Sequence, residues 1–149
     1  MRAVLQRVSR AQVSVDGEAV GRIGHGMLVL LAVHRDDEER DVSWMGRKLL
    51  NLRFFADEED KLNLSVGQVG GDILLVSQFT LYGDCRKGNR PSYSRSAGPD
   101  QAQRLYEQLA QDLRASGASV ATGTFQAMMD VELVNQGPVT LLLDSRERL

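Results

Sequence analysis

The sequence is poor in the residues that build disulfides, metal sites and membrane spans. It has one cysteine and two histidines in 149 residues. The single cysteine, Cys85, excludes an intrachain disulfide and is typical of a reducing compartment. The longest apolar run, Met27 to Val33, is far shorter than the roughly 18 residues of a membrane span, and the first residues show no signal-peptide pattern. We therefore expect a cytoplasmic protein without a membrane segment.

Charge and motif spacing exclude further classes of protein. The net charge of −2 predicts no general affinity for nucleic acid, so an RNA-binding function would need a local basic patch. No spacing of His, Cys and Asp indicates a metal site. The glycines at 21, 24 and 26 do not match the dinucleotide fingerprint, which needs a strand before it and a helix after it. We expect one domain, residues 1–149, without a metal or cofactor.

Alternating apolar residues predict a chain that is rich in strands. Asp16-Gly17 is a strong hairpin signal and is expected to join Gln12–Val15 to Glu18–Ile23. The apolar run Met27 to Val33 predicts a buried central strand. The other predicted strands are Arg53–Ala56, Asp72–Leu81, Ser119–Ala121, Met128–Val134 and Val139–Leu143.

Two segments have the apolar period of a helix. The first predicted helix is capped by Asp36 or Asp37, and the second begins at Pro99 and ends near Gly117. Their apolar stripes are Val42, Met45, Leu49 and Leu52 in the first, and Ala102, Leu105, Leu109 and Leu113 in the second. Two helices among about eight strands predict an α+β domain with a mainly antiparallel, barrel-like sheet, and the strand-rich first 35 residues argue against a doubly wound fold.

Two short motifs carry most of the functional information. The first is Ser77-Gln78-Phe79-Thr80-Leu81, and the second is Asn135-Gln136-Gly137-Pro138-Val139-Thr140. Neither contains a His, Cys, Asp or Glu that could act as a general base. If the protein is an enzyme, its chemistry must therefore depend on backbone groups or on the substrate itself.

The Gly-Pro pair of the second motif lies between two strand-like runs. Pro138 cannot donate to a sheet ladder, and Gly137 is free to adopt a positive φ. The simplest interpretation is a hairpin turn. The alternative is a place where a ligand or a second backbone approaches closely.

Together the two motifs resemble the signature motifs of the D-aminoacyl-tRNA deacylases, the D-tyrosyl-tRNA(Tyr) deacylase family. The resemblance covers nearly the whole chain and includes, in the family's order, Met1–Val8, Gly70–Asp72, Arg86–Gly88 and Phe125–Val131. It implies a homodimer with two-fold symmetry that hydrolyses the ester bond of D-aminoacyl-tRNA, and of mischarged glycyl-tRNA, as proofreading in translation.

The resemblance also implies roles for the first motif and for the adenosine pocket. The backbone N–H groups of the segment Ser77, Gln78, Phe79 and Thr80 would hold the ester carbonyl, while the 2′-hydroxyl of the terminal adenosine assists cleavage. Phe125 and Met129 would line the adenosine and aminoacyl region, although core packing is the simpler explanation for both residues from sequence alone.

The second motif would select the substrate. In the family Gly137-Pro138 is a cis pair that enters the pocket of the partner subunit and excludes L-amino acids. Arg7 would hold this pair, although an exposed charge on an edge strand would also explain it. Asn135, Val139 and Thr140 would support the pair.

Three positions depart from the family pattern, and Thr80 allows a rival interpretation of the reaction. Gln136 stands where the family commonly has Asp, Gln126 where it commonly has Gly, and Asn89 where it commonly has a basic residue. If Thr80 were a nucleophile, the protein would be a Thr-dependent esterase or amidase.

The loop after the first motif is basic. It contains Arg86, Lys87, Arg90 and Arg95 together with Tyr93, and it predicts a phosphate-binding patch for tRNA or, otherwise, a solvated loop. A third possibility is a non-catalytic RNA-binding dimer that uses this loop. Cys85 lies beside two of these cations, which could lower its pKa, but we expect it to have no catalytic role.

Overall fold

The computed structural model describes residues 1–147 and contains two helices and eight strands in that range. The helices are α1 (Glu39–Asn51) and α2 (Pro99–Ala115), and a short 3₁₀ turn spans Phe79–Tyr82. The strands are β1 (Arg2–Val15), β2 (Glu18–Ile23), β3 (Gly26–Ala32), β4 (Phe55–Ala56), β5 (Leu62–Leu64), β6 (Asp72–Ser77), β7 (Val120–Thr122) and β8 (Asp130–Asp144).

The main sheet is mixed. Its order is β2-β1-β3-β6-β7, and β8 pairs with β1 as well. The pairs that include β1 are antiparallel, while β3–β6 and β6–β7 are parallel. Parallel neighbours need a crossover connection, and α1 and α2 lie in the two connections that join them. The strand-rich first 35 residues thus form three antiparallel strands with β1 in the middle, since β3 pairs with β1 and not with β2.

The sheet curls until β2 lies next to β7, as expected for a nearly closed barrel. A Cβ atom at Gly21 would lie 2.4 Å from the backbone oxygen of Thr122. This position therefore needs glycine, because a side chain would push the two strands apart. The closure confirms the predicted barrel-like α+β architecture.

The two faces of the sheet bury separate cores. On one face Leu5, Val29 and Leu75 pack against both helices, and on the other Val8 and Leu28 belong to a smaller cluster that faces the barrel interior. Six of the eight residues predicted for the helix stripes are buried, namely Val42, Met45, Leu49, Leu105, Leu109 and Leu113. Ala102 is half-buried, and Leu52 is half-buried and follows the last residue of α1. Within residues 1–147, no helix is both long and apolar enough to cross a membrane.

Two predicted boundaries are wrong. Helix α1 is capped at Glu38, whose N–H donates to Asp41 at 3.0 Å, and not at Asp36 or Asp37. Asp37 is buried and instead accepts the N–H of His34 and a hydrogen bond from Arg146. Strand β6 ends at Ser77 rather than at residue 81, because its partner β3 ends at Ala32 and the chain then enters the 3₁₀ turn.

The Gly-Pro pair does not form a hairpin. The segments predicted as two strands, Met128–Val134 and Val139–Leu143, lie largely within the single strand β8. Both halves of β8 pair with β1, since Val8 is opposite Asn135 and Gln6 is opposite Thr140. Residues 136–139 are therefore extra residues that project from a continuous strand.

Candidate active site

The second motif forms a bulge in β8 that its own side chains close. Asn135 Oδ1 accepts the N–H of Val139 at 2.9 Å, and Asn135 Nδ2 donates to Thr140 Oγ1 at 2.9 Å. One side chain thus joins the two ends of the bulge. Asn135, Val139 and Thr140 therefore meet at the base of the bulge.

Arg7 fixes the tip of the bulge from the neighbouring strand. Its Nε donates to the backbone oxygen of Gln136 at 2.9 Å. The Gly137-Pro138 peptide bond is cis, and Gly137 has a φ of +141°, a conformation that L side chains rarely adopt. Gly137 and Pro138 are exposed, so the tip of the bulge projects into solvent from this chain.

The first motif forms the end of β6 and the 3₁₀ turn that follows. The N–H of Gln78 donates to Leu31 O at 2.7 Å and extends the ladder by one bond beyond the strand. Its side chain then turns back, and Nε2 donates to Thr80 Oγ1 at 2.5 Å. Gly83 N–H donates to Thr80 O at 2.9 Å and closes the turn. Gln78 thus orders both the backbone and the hydroxyl of the motif.

The start of the turn presents backbone donors. The first N–H groups of any helical turn lack partners inside the turn. Across residues 1–147, no hydrogen bond uses the N–H of Phe79 or of Thr80 as donor. The carbonyl of Phe79 accepts from Ser96 Oγ at 3.2 Å, which fixes the orientation of this peptide plane. Two adjacent N–H groups are therefore available to bind an oxygen atom.

No base is bonded to the Thr80 hydroxyl in the part of the chain that the structure describes. The side chain that reaches it is the Gln78 amide, a donor that cannot accept a proton. His34 is engaged elsewhere, since its Nδ1 accepts the N–H of Asp36 and its ring lies edge-on to Tyr82 at 5.2 Å. Burial lowers the pKa of His34.

The two motifs do not meet within one chain. The sheet order places β1 and β3 between β8 and β6. Three strand spacings of about 4.8 Å separate them by roughly 14 Å across the sheet. Along β3 the motifs are also displaced, because Arg7 is opposite Met27 while Ser77 is opposite Leu31. A substrate held by both motifs of one chain would have to span this distance.

Phe125 and Met129 lie in the loop between β7 and β8 and are half-buried. The Phe125 ring packs against Tyr106 with centroids 5.9 Å apart, and Met129 packs on the barrel-side cluster. Burial raises the pKa of Tyr106 to about 12, and its hydroxyl donates to Leu75 O at 2.7 Å. Each residue therefore has one part in the core and another part exposed to solvent.

Gln126, between these two residues, has a φ of +62°. This is the left-handed region, in which glycine is the residue without a steric penalty. The departure from the family's glycine noted in the sequence therefore falls at a position where the backbone geometry favours glycine.

The basic loop is an excursion closed at its base. Backbone hydrogen bonds of 2.8 and 3.0 Å join Asp84 and Ser92. Within the loop Arg86 Nη2 lies 2.6 Å from Asp84 Oδ2, and this pair holds the pKa of Asp84 well below its usual range. Of the four cations in the predicted patch, Arg86 pairs with Asp84 and Arg95 with Glu147, while Lys87 and Arg90 have no ion pair among the described residues.

Sequence reasoning missed the residues that support the 3₁₀ turn. Arg2 Nη1 donates to Leu81 O at 3.0 Å, and its guanidinium lies 4.6 Å from the centroid of the buried Tyr82 ring. Arg95 lies over the same ring at 5.8 Å. Burial raises the pKa of Tyr82, so this phenol stays neutral. The contacts of Arg2 join segments about 80 residues apart, and no local pattern could reveal them.

Comparison with known proteins gives a consistent result. Residues 4–144 match the family model described as D-Tyr-tRNA(Tyr) deacylase. The chain is 57% identical over 147 residues to the D-aminoacyl-tRNA deacylase of Syntrophobacter fumaroxidans, with 99% of each chain covered. It is 55% identical to the protein of that name from Thermosipho africanus, again over 99% of each chain.

Two solved structures share the fold. The c-Myc DNA unwinding element binding protein superposes with a TM-score of 0.93 at 41% identity, over 99% of this chain and 100% of that one. A probable eukaryotic D-amino acid tRNA deacylase superposes with a TM-score of 0.81 at 21% identity, over 95% and 97% of the two chains. The second likeness is one of fold alone.

Proposed function

This chain belongs to the D-Tyr-tRNA(Tyr) deacylase family, and we propose that it hydrolyses the ester bond of D-aminoacyl-tRNA, releasing free D-amino acid and tRNA. The observation that carries the proposal is the 3₁₀ turn of the first motif, which has two available N–H groups and no general base. Such a site suits a reaction that needs carbonyl polarisation more than side-chain proton transfer.

The catalytic step follows from this geometry. The N–H groups of Phe79 and Thr80 would bind the ester carbonyl and stabilise the oxyanion that develops on it. Gln78 holds the turn in place through its backbone and side chain. With no base in the turn, the 2′-hydroxyl of the terminal adenosine would assist the attacking water. The substrate thus supplies a group that the protein lacks.

In this proposal the tip of the β8 bulge selects against L-amino acids, and it does so across a two-fold homodimer. The tip is exposed, and it lies roughly 14 Å across the sheet from the turn of its own chain. A partner subunit could place its Gly137-Pro138 pair beside this chain's turn, where an L side chain would collide with it. D-amino acids and glycine would avoid the collision, so mischarged glycyl-tRNA would also be a substrate.

The first experiment compares D-tyrosyl-tRNA and L-tyrosyl-tRNA as substrates of the purified protein. We expect fast loss of the D ester while the L ester survives. Hydrolysis of both esters would support deacylase activity but contradict the chiral role proposed for Gly137-Pro138. Hydrolysis of neither by a folded dimer, together with salt-sensitive tRNA binding, would favour the non-catalytic RNA-binding alternative.

Thr80→Ala separates backbone catalysis from a Thr-dependent esterase. We expect the variant to keep deacylation of D-tyrosyl-tRNA within about tenfold of the wild type, because the N–H groups remain and only the hydrogen bond from Gln78 is lost. Single-turnover rates on the charged tRNA measure this. Complete loss of cleavage, with folding and tRNA binding intact, would make the hydroxyl the nucleophile.

A further inference from the structure

An exposed aromatic pair borders the proposed active site. Phe79 and Tyr93 are 54% and 40% exposed as whole residues, and their ring centroids lie 5.2 Å apart with the ring planes at 68° to each other. In this edge-to-face arrangement the rings do not cover each other's faces completely. Single exposed apolar residues need no explanation, but two adjoining aromatic rings form a patch that favours a ligand.

The position of the pair is fixed by the surrounding backbone. A Cβ atom at Gly83 would lie 3.1 Å from Tyr93 Cε1 and 3.0 Å from Thr80 O, so the ring packs tightly against a glycine. Ser96 joins the two halves, because its N–H donates to Tyr93 O and its hydroxyl to Phe79 O. The two rings are thus held at a constant place between the catalytic turn and the base of the basic loop.

The charges beside the pair suit a polyanion. Lys87 and Arg90 belong to the loop that starts and ends next to Tyr93, and within the described part of the chain neither has an acidic partner. Aromatic faces beside unpaired cations are the usual means of binding single-stranded nucleic acid, since bases stack while phosphates meet the cations.

We propose that the Phe79–Tyr93 pair stacks one unpaired base of the tRNA 3′ end, the base next to the aminoacylated adenosine. This inference rests on the proposed function. Phe79 would bind the ester through its N–H, so its ring lies next to the site of the terminal nucleotide. Lys87 and Arg90 would then contact the phosphates further along the same strand.

The test measures binding without turnover. Wild type and Tyr93→Ala are titrated with two uncharged acceptor-stem RNAs, one intact and one with an abasic nucleotide before the terminal adenosine. We expect the abasic site to weaken wild-type binding by about 5- to 150-fold and to leave binding by the Tyr93→Ala protein within about twofold. Tyr93→Phe, which keeps the ring, is expected to behave as the wild type.

Hydrolysis then separates stacking from support of the turn. We expect Tyr93→Ala to lower kcat/KM on D-tyrosyl-tRNA by a similar factor, through KM, and to leave cleavage of D-tyrosyl-adenosine within twofold. Equal losses on both substrates, or equal sensitivity of both proteins to the abasic site, would overturn the proposal. So would a loss of the dimer in the Tyr93→Ala protein, which would mean that a second subunit covers the pair. Because the titration uses uncharged RNA, the stacking proposal can fail or hold independently of deacylation.

Discussion

Replacing Gly137 with alanine is expected to narrow the preference for D-tyrosyl-tRNA over L-tyrosyl-tRNA by at least about tenfold, which is about 1.4 kcal/mol of discrimination. The added methyl group would lie 2.7 Å from Val139 Cγ2 and 3.0 Å from Arg7 Nη2. The backbone at Gly137 also has a φ that alanine rarely adopts. The tip of the bulge must therefore shift, and the surface that excludes an L side chain shifts with it.

The measurement is kcat/KM on both charged tRNAs for the variant and for a matched control. Gly24→Ala is that control, since a Cβ atom at Gly24 has no atom within 4 Å and its φ is not in the left-handed region. We expect Gly24→Ala to keep the wild-type ratio. If folded Gly137→Ala protein also kept this ratio, the chiral filter would lie elsewhere in the molecule.

Local pattern was enough to predict the helices and the architecture. Each helix buries one stripe at the helical period, and this signal needs no knowledge of the rest of the chain. The hairpin at Asp16-Gly17 is similarly local, and the structure confirms it with Val15 opposite Glu18. The barrel-like α+β class followed from counting these elements.

Long-range pairing decided what the sequence could not predict. The first motif contains the strand-forming residues Phe79 and Thr80, yet β6 ends at Ser77 because its partner β3 ends one residue after Leu31. The Gly-Pro segment has the composition of a turn, but one strand, β1, pairs with both sides of it. In each case the partner strand, not the local composition, sets the outcome.

In the candidate site, too, local sequence pattern was informative and long-range contacts were not predictable. The motifs identified the segments, because signature residues are contiguous in sequence. The contacts that orient them are not contiguous, as with Ser96 and Phe79 O or Arg2 and Leu81 O. Sequence reasoning therefore identified the residues proposed to meet the substrate, together with Arg7 and Asn135 at the bulge, and missed the contacts of Arg2 and Ser96 that hold the 3₁₀ turn.

A charge introduced at Leu142 is expected to separate the proposed dimer and to remove most of its activity. Leu142 is 57% exposed on β8 and lies opposite Val4, which in turn lies opposite Leu30, and all three are at least partly open to solvent. They form an apolar strip across three strands on the face away from the helices. An exposed strip of this kind is typical of a surface that a protein partner covers.

The Leu142→Asp change would bury an unpaired carboxylate in that interface. Such a burial costs several kcal/mol, so the dissociation constant of the dimer should rise at least about 100-fold. Deacylation of D-tyrosyl-tRNA should fall by at least about tenfold at concentrations where the wild type is dimeric, because each site would lose the partner's contribution. Sedimentation velocity and single-turnover kinetics on the same samples measure the two effects.

Leu62→Asp is the matched control, because Leu62 is 48% exposed and lies on the separate β4–β5 hairpin. We expect it to leave both the sedimentation and the rate unchanged. A monomeric Leu142→Asp protein with full activity would show that one chain holds a complete site. If the Leu142→Asp protein stayed dimeric and active, the subunit contact would lie away from the strip. This face could then not position the β8 tip.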